Sequence, residues 1–363
     1  MNEYTRIKIN HKDYTADNLK DLLTDIPDEG HKDWVLSIYH FLSDWFSDKA
    51  YIEAQTSGST GVPKTIRLQK PAMASSAKAT CAFFGLNENC NALLCLPASY
   101  IAGKMMLVRA LVSGLNLMVL KPSSHPFANI EETIDFTAIT PHQLYESLGM
   151  LAERNIRKII VGGSAVSHAL EHKLQSLPGS IFETYGMTET CSHIALRELN
   201  GTERSEYFTL LEGVSIETDK RGCLVIDAPL LTPVKLITND VVQIIDDRHF
   251  RWLGRFDHVV NSGGVKLYPE QIERSIETLL DGPAYFVAGV NDEKLGEKLV
   301  LLIEGAPFAM EDMTRLKSML RETLSPLEIP REIVFIPEFK RSNTGKILKQ
   351  KVLETIGKTN NKA

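Results

Sequence analysis

Between residues 70 and 190, short apolar runs alternate with stretches of helical spacing, and this alternation constrains the fold more tightly than any other feature of the chain. The apolar runs fall at 92–96, 115–120, 136–140, 158–161 and 181–184; the helical patterns fall at 71–84, 99–113, 142–154 and 167–177. Strands regularly separated by helices have room for crossover connections, so the pattern predicts a layered, mostly parallel sheet in an α/β fold.

The pattern changes on both sides of this block. Trp34, Ile38, Phe41, Leu42 and Trp45 recur at helical spacing and predict one amphipathic packing helix. Tyr51-Ile-Glu-Ala54 and Ile66-Arg-Leu68 read as strands around a Ser/Thr/Gly loop. Residues 205–256 are β-rich, with turns at 211–213, 219–222 and 246–247, and predict a small antiparallel unit. After Asp257 come strands at 259–261 and 264–267 and a helix over 269–280 with proline in its first turn. Strands at 284–290 and 298–304, a helix at 311–324, a strand at 332–336 and a last helix from 346 complete a small α+β domain. The predicted division is 1–256 and 257–363.

The net charge of −6 argues against a protein whose main task is to bind nucleic acid or anionic lipid. The basic run around Lys349 and Lys351 reads as a solvated helix face. Cys81, Cys90, Cys95, Cys191 and Cys223 form no C-x-x-C pair and read as reduced thiols. The N-terminus carries charge where a signal peptide needs an apolar core, and no apolar run approaches the roughly 20 residues of a membrane span. The expectation is a cytoplasmic protein with no stable membrane association; a homodimer stays open.

Four segments carry chemistry. In Thr56-Ser-Gly-Ser-Thr-Gly-Val-Pro-Lys64, Gly58 and Gly61 let backbone N–H groups turn toward an anion. Hydroxyls at Thr56, Ser57, Ser59 and Thr60 add donors, and Lys64 adds a positive charge. The spacing mimics a Walker loop, but Pro63 stands at its second glycine, and proline has no N–H to offer. Glu183-Thr-Tyr-Gly-Met-Thr-Glu189 follows a predicted strand; Tyr185 offers an aromatic face to a base and Glu189 an oxygen ligand to Mg²⁺. Leu253-Gly-Arg-Phe-Asp-His-Val-Val-Asn-Ser-Gly-Gly-Val-Lys266 lies at the domain change, and Arg341-Ser-Asn-Thr-Gly-Lys346 is a basic turn near the C-terminus. Singly, the last three read equally well as ordinary turns.

In this order and spacing the four segments resemble the adenylate-forming superfamily of acyl-CoA synthetases, adenylation domains and luciferases, over residues from about 50 to 355. The resemblance implies a large ATP- and acyl-binding N-terminal domain and a mobile C-terminal one. It implies that the 56–64 loop holds phosphates and that Gly162, Gly163, Ser164 and Ala165 line the adenine and acyl pocket. Glu183, Thr184, Tyr185 and Gly186 would surround adenine; Thr188 would contact the α-phosphate, and Glu189 would ligate Mg²⁺. Asp240, assisted by Arg255, would bind the ribose. Asp257 falls on the hinge, Gly263, Gly264 and Lys266 on the segment presented to coenzyme A, and Lys346 on the lysine that serves adenylation. ATP, Mg²⁺ and coenzyme A are the implied cofactors, and a small carboxylic acid the implied partner.

Within the superfamily, Tyr185-Gly-Met-Thr-Glu-Thr-Cys-Ser192 and Leu96-Pro-Ala-Ser-Tyr-Ile-Ala-Gly103 resemble the o-succinylbenzoate–CoA ligases of menaquinone biosynthesis. Such an acid brings a second carboxylate, so its pocket needs a cation. Lys104, Arg109, His193 and Arg197 are the candidates, and Tyr100 joins the acyl-pocket set. Other aryl or fatty acids, a carrier-protein acceptor, or a nucleotide-binding module without catalysis remain open. Three departures mark the chain: the stretch before the phosphate loop is short, implying a reduced N-terminal subdomain; Tyr100 replaces a common histidine; Glu183 and Asn239 replace a common amide and a glycine.

Overall fold

The computed structural model describes residues 3–26, 33–56, 64–280, 282–341 and 347–360. The chain opens with the antiparallel pair β1 (Ile7–Ile9) and β2 (Lys12–Tyr14), then helices α1 (Leu22–Asp25) and α2 (Asp33–Phe46). A second antiparallel pair follows, β3 (Tyr51–Thr56) and β4 (Lys64–Gln69). The alternating block then runs α3 (Lys70–Phe84), β5 (Asn91–Leu94), α4 (Ile101–Ser113), β6 (Asn116–Val119), β7 (Phe136–Ile139), α5 (Pro141–Leu151), β8 (Lys158–Val161), α6 (His168–Lys173) and β9 (Ser180–Gly186).

Its strands lie in the order β9-β8-β7-β5-β6-β1, every pair parallel. All four residues of β7 are buried, as are three of four in β5 and β8. Helices cover both faces, which is why these strands read as continuous apolar runs rather than as an alternation. One core packs Trp45, Leu42, Met73 and Met106 against one face, and another packs Ile139, Leu144, Ile159 and Leu170 against the opposite one. Local chemistry sets the helix ends. Thr140 and Gln143 cap α5 reciprocally ahead of Pro141.

The strands β10 (His193–Glu198), β11 (Phe208–Leu210), β12 (Ser215–Thr218), β13 (Cys223–Asp227), β14 (Leu236–Ile244) and β15 (His249–Arg255) are antiparallel. They continue the same sheet, because β10 turns back beside β9 and carries the ladder on to β11, making 13 strands from β12 to β2. A second, five-stranded sheet contains β16 (Val260–Ser262), β17 (Val265–Leu267), β18 (Tyr285–Asp292), β19 (Gly296–Glu304) and β20 (Glu332–Ile336). Helices α7 (Pro269–Ser275), α8 (Met310–Thr323) and α9 (Lys349–Asn360) accompany it, over a separate core that includes Ile272, Leu301, Leu316 and Leu320. Among the described residues no helix is long and apolar enough to cross a membrane.

Candidate active site

Four sequence segments emerge at one edge of the parallel block. Leu96 to Gly103 follows β5, Gly162 to Ala165 follows β8, and Tyr185 to Glu189 spans the end of β9 and the short turn at Thr188–Thr190. These strands are parallel, so all three segments leave from their carboxyl ends, where open α/β sheets hold their ligands. The fourth, β10, returns tightly from that edge: a Cβ at Gly186 would sit 2.4 Å from both the Ser192 carbonyl oxygen and the His193 Cα. Only glycine fits there, and the closeness carries the turn's side chains past the sheet edge.

Tyr185 and Asp240 meet across 55 residues of sequence. The Tyr185 hydroxyl donates to Asp240 Oδ2 at 2.7 Å, Trp252 Nε1 donates to Oδ1 at 3.2 Å, and Arg255 Nη1 lies 3.7 Å from Oδ1. The Tyr185 ring stands edge-on to Phe250 and Phe208 at 5.2 and 5.8 Å between centroids. Burial, then the Asp240 charge, push the phenol well above its ordinary value, so it is a fixed donor. Asp257 Oδ2 lies 3.6 Å from Arg255 Nη2, so the arginine bridges the ribose and hinge candidates. No motif in the sequence marks Trp252. The β14–β15 ladder, whose register shifts between Val241 and Val242, sets Trp252 opposite Val242 and so within reach of Asp240.

Glu183 is used differently from a free adenine acceptor. Its Oε1 accepts the Val166 N–H at 2.8 Å, and Oε2 accepts Arg197 Nε and Nη2 at 3.0 and 2.7 Å. The acid thereby fixes the backbone just after Gly162, Gly163, Ser164 and Ala165 instead of standing open to a base. Arg197 also grips Glu171 at 3.2 Å. Burial alone would lower the Arg197 value, but the Glu183 and Glu171 charges raise it. Arg197 is therefore committed internally.

The other three cation candidates separate clearly. Lys104 leans over the Phe41 ring of α2, 5.6 Å from its centroid, and burial lowers its value. His193 is 5% exposed, with Nε2 3.1 Å from Thr80 Oγ1; burial, then the Arg109 charge, hold it well below 6.5 and neutral. Arg109, on α4, is 1% exposed. It donates to Ser192 Oγ at 3.0 Å and to Met106 Sδ at 3.6 Å, lies over the Phe136 ring, and leaves Nε without a partner. Among the described residues no carboxylate pairs with it, and burial lowers it to about 10. His193 lines a small cleft together with Ser76, Ala79, Leu211 and Leu231. Tyr100, at the start of α4, is 66% exposed.

Thr188 is half-buried, Thr184 donates to the Val161 carbonyl at 3.1 Å, and Glu189, Ser164 and Ala165 are exposed. No cluster of three or more metal-ligating side chains occurs among the described residues. A Mg²⁺ ion at Glu189 would therefore complete its oxygen shell with nucleotide and water, as this hard cation commonly does. Gly263 and Gly264 make the β16–β17 turn at φ of +58° and +84°, with Lys266 exposed on β17. Thr56 ends β3 and Lys64 starts β4; their side chains, the loop of Ser57, Gly58, Ser59, Thr60 and Gly61, and Lys346 lie outside the described residues.

The family of AMP-binding enzymes matches residues 48–214. A 2-succinylbenzoate–CoA ligase from Lactococcus lactis subsp. lactis (strain IL1403) is 25% identical over 329 residues, covering 85% of this chain and 72% of the relative. The O-succinylbenzoate coenzyme A synthetase of Bacillus subtilis, solved with ATP and magnesium, shares the fold with a TM-score of 0.67 at 21% identity, over 82% of this chain and 68% of that one. The crystal structure of an acyl-CoA synthetase (AMP-forming)/AMP-acid ligase II-like protein from Dyadobacter fermentans DSM 18053 is 36% identical, covers 93% of this chain and 98% of its own, and superposes with a TM-score of 0.61. At that identity and coverage, on a shared fold, this chain belongs to the AMP-binding enzyme family of AMP-forming acyl-CoA synthetases.

Proposed function

We propose that this chain is an o-succinylbenzoate–CoA ligase that works through an acyl-adenylate. The observation that carries the choice of acid is Arg109, a fully buried guanidinium without a carboxylate partner among the described residues. A buried cation is costly unless an anion joins it. A substrate with one carboxylate to activate and a second to anchor supplies that anion from outside, and neutral His193 beside it adds a hydrogen-bonding wall without competing charge. Relatives named 2-succinylbenzoate–CoA ligase support the same acid.

In the first step a carboxylate oxygen of the acid attacks the α-phosphorus of ATP, and the bond to pyrophosphate breaks. In the second, a thiol sulfur attacks the acyl carbon, AMP leaves with the C–O bond electrons, and the thiol proton goes to solvent. The 56–64 loop, Thr188 and Lys346 are proposed to hold phosphate oxygens and offset the charge that grows during attack. Mg²⁺ at Glu189 would add Lewis-acid polarisation of those oxygens. Asp240, braced by Tyr185 and Trp252 and flanked by Arg255, would take the ribose hydroxyls. A domain boundary at 256/257 with a hinge at Asp257 would let residues 257–363 present Lys346 for the first step and the Gly263, Gly264 and Lys266 turn for the second.

A pyrophosphate-release screen tests the proposal, using aryl, succinyl-aryl and fatty acids with and without coenzyme A. Turnover of o-succinylbenzoate with thioester formation is expected. Turnover of fatty acids alone would reject the choice of acid, and transfer only to a phosphopantetheine protein would reject the acceptor.

A further inference from the structure

Helix α7 sends one side chain into a buried cluster of charges that belongs otherwise to the large sheet. Arg274 Nη2 donates to Glu171 Oε2 at 2.8 Å, and the Glu171 side chain is 1% exposed. Glu171 also accepts from Arg204 Nε at 3.0 Å and from Arg197, which continues to Glu183 and so to the Val166 N–H. Arg197 and Arg204 already balance Glu171 and Glu183, and all four lie before residue 257. Arg274 is the fifth charge and the surplus one. Its withdrawal strands no buried ion, so the contact can be made and broken without the penalty that follows loss of an essential partner.

Two further contacts cross the same junction. Glu277 Oε2 accepts the His168 N–H at 2.5 Å, and Gln271 Nε2 donates to the Trp252 and Leu253 carbonyls at 3.2 and 3.1 Å. Each is a side chain after residue 257 meeting backbone before it, so neither requires a side-chain partner to move. Arg274 differs in that it ends a chain of buried ion pairs, through Glu171, Arg197 and Glu183, that leads to the segment of Gly162 to Ala165.

We propose that Arg274 is a positioning residue, which docks residues 257–363 in one working orientation through Glu171 and, through Arg197 and Glu183, ties that docked state to the backbone at Val166. The inference rests on the two-orientation reading of residues 257–363 given above.

The test uses the full chain with Arg274→Ala, Arg274→Lys and Lys346→Ala, and an acid that the unaltered protein turns over. Adenylate formation and thioester formation from supplied adenylate are measured separately. Arg274→Ala is expected to change the ratio of the two rates by about threefold or more, the scale of one partly exposed ion pair. Arg274→Lys should restore most of that ratio, and the melting temperature should stay within about 2 °C. An unchanged ratio in Arg274→Ala, or an equal fall in both rates with a lower melting temperature, would overturn the proposal. Lys346→Ala separates the two ideas. It should impair adenylation and spare thioester formation; an equal loss of both would sink the two-orientation reading and the docking role with it, whereas a split in Lys346→Ala without one in Arg274→Ala sinks the docking role alone.

Discussion

Replacing Arg109 with methionine should make the protein more stable and less active on a dicarboxylic acid. Burial lowers the guanidinium from 12.5 to about 10, so its penalty is fully present at every pH below about 10. That displacement corresponds to about 3 kcal/mol carried by the folded state at pH 7. Methionine keeps a long side chain in the same space while removing the charge, and it forfeits the contacts to Ser192 Oγ and the Phe136 ring. Those contacts are worth about 1 kcal/mol each. A net gain of about 1 kcal/mol remains, or a rise of roughly 2 °C in a chain of this size. If the guanidinium anchors the second carboxylate, its loss should lower kcat/KM for o-succinylbenzoate by roughly 10²-fold or more, since removing one partner of a buried charge pair costs about 2–5 kcal/mol. A monocarboxylic aryl acid should lose less than about tenfold, because it lacks the group that Arg109 would hold. Differential scanning calorimetry and steady-state kinetics on both acids give the answer. Lower stability together with equal loss on both acids would show that Arg109 serves the packing and not the substrate.

Acid should weaken the fold through His193. Its folded value lies well below 6.5, so the unfolded chain binds the extra proton first and stability falls as pH drops from about 6.5 toward that depressed value. The slope approaches about 1.4 kcal/mol per pH unit from this group; urea midpoints of His193→Gln between pH 7.5 and 5 should fall less steeply than those of the unaltered protein, and parallel curves would refute the assignment. Gly186→Ala should destabilise by about 3 kcal/mol or more, since the new Cβ would meet Ser192 and His193 backbone at 2.4 Å. Denaturant unfolding with a loss below about 0.5 kcal/mol would mean that the β9–β10 turn opens freely.

The alternation over 70–190 foretold the parallel block because its strands are buried on both faces and its helices carry one apolar side. The predicted strand at 158–161 agrees with β8 residue for residue, and the helix over 99–113 differs from α4 by two residues at its start. Three things were not legible. The strands β1 and β2 are three residues each, too short to display a period, yet β1 closes the parallel ladder against β6. The strand β10 is buried in five of its six residues, so no alternation announced it, and it is the strand that merges the antiparallel unit into the main sheet. The site was legible as motifs but not as partnerships. Tyr185 and Asp240 stood out separately, whereas the Trp252 contact and the commitment of Glu183 to Val166 and Arg197 follow from register and burial.

Partner allocation is what converts a list of charges into a site. The sequence offered four basic residues for a second carboxylate, and nothing in their spacing ranked them. The fold satisfies Arg197 with two buried glutamates, turns Lys104 onto an aromatic ring of another helix, and holds His193 neutral. Arg109 is left charged, buried and without an acid among the described residues. A chain selected for stability alone has no reason to keep such a group, because an apolar side chain of similar length fits the space at lower cost. On the proposed reading an anion arriving from solution would relieve the penalty borne by the free protein, and that relief would discriminate an acid with two carboxylates from an acid with one. The buried position would add to that effect, since the same pair in water is screened to a fraction of its strength.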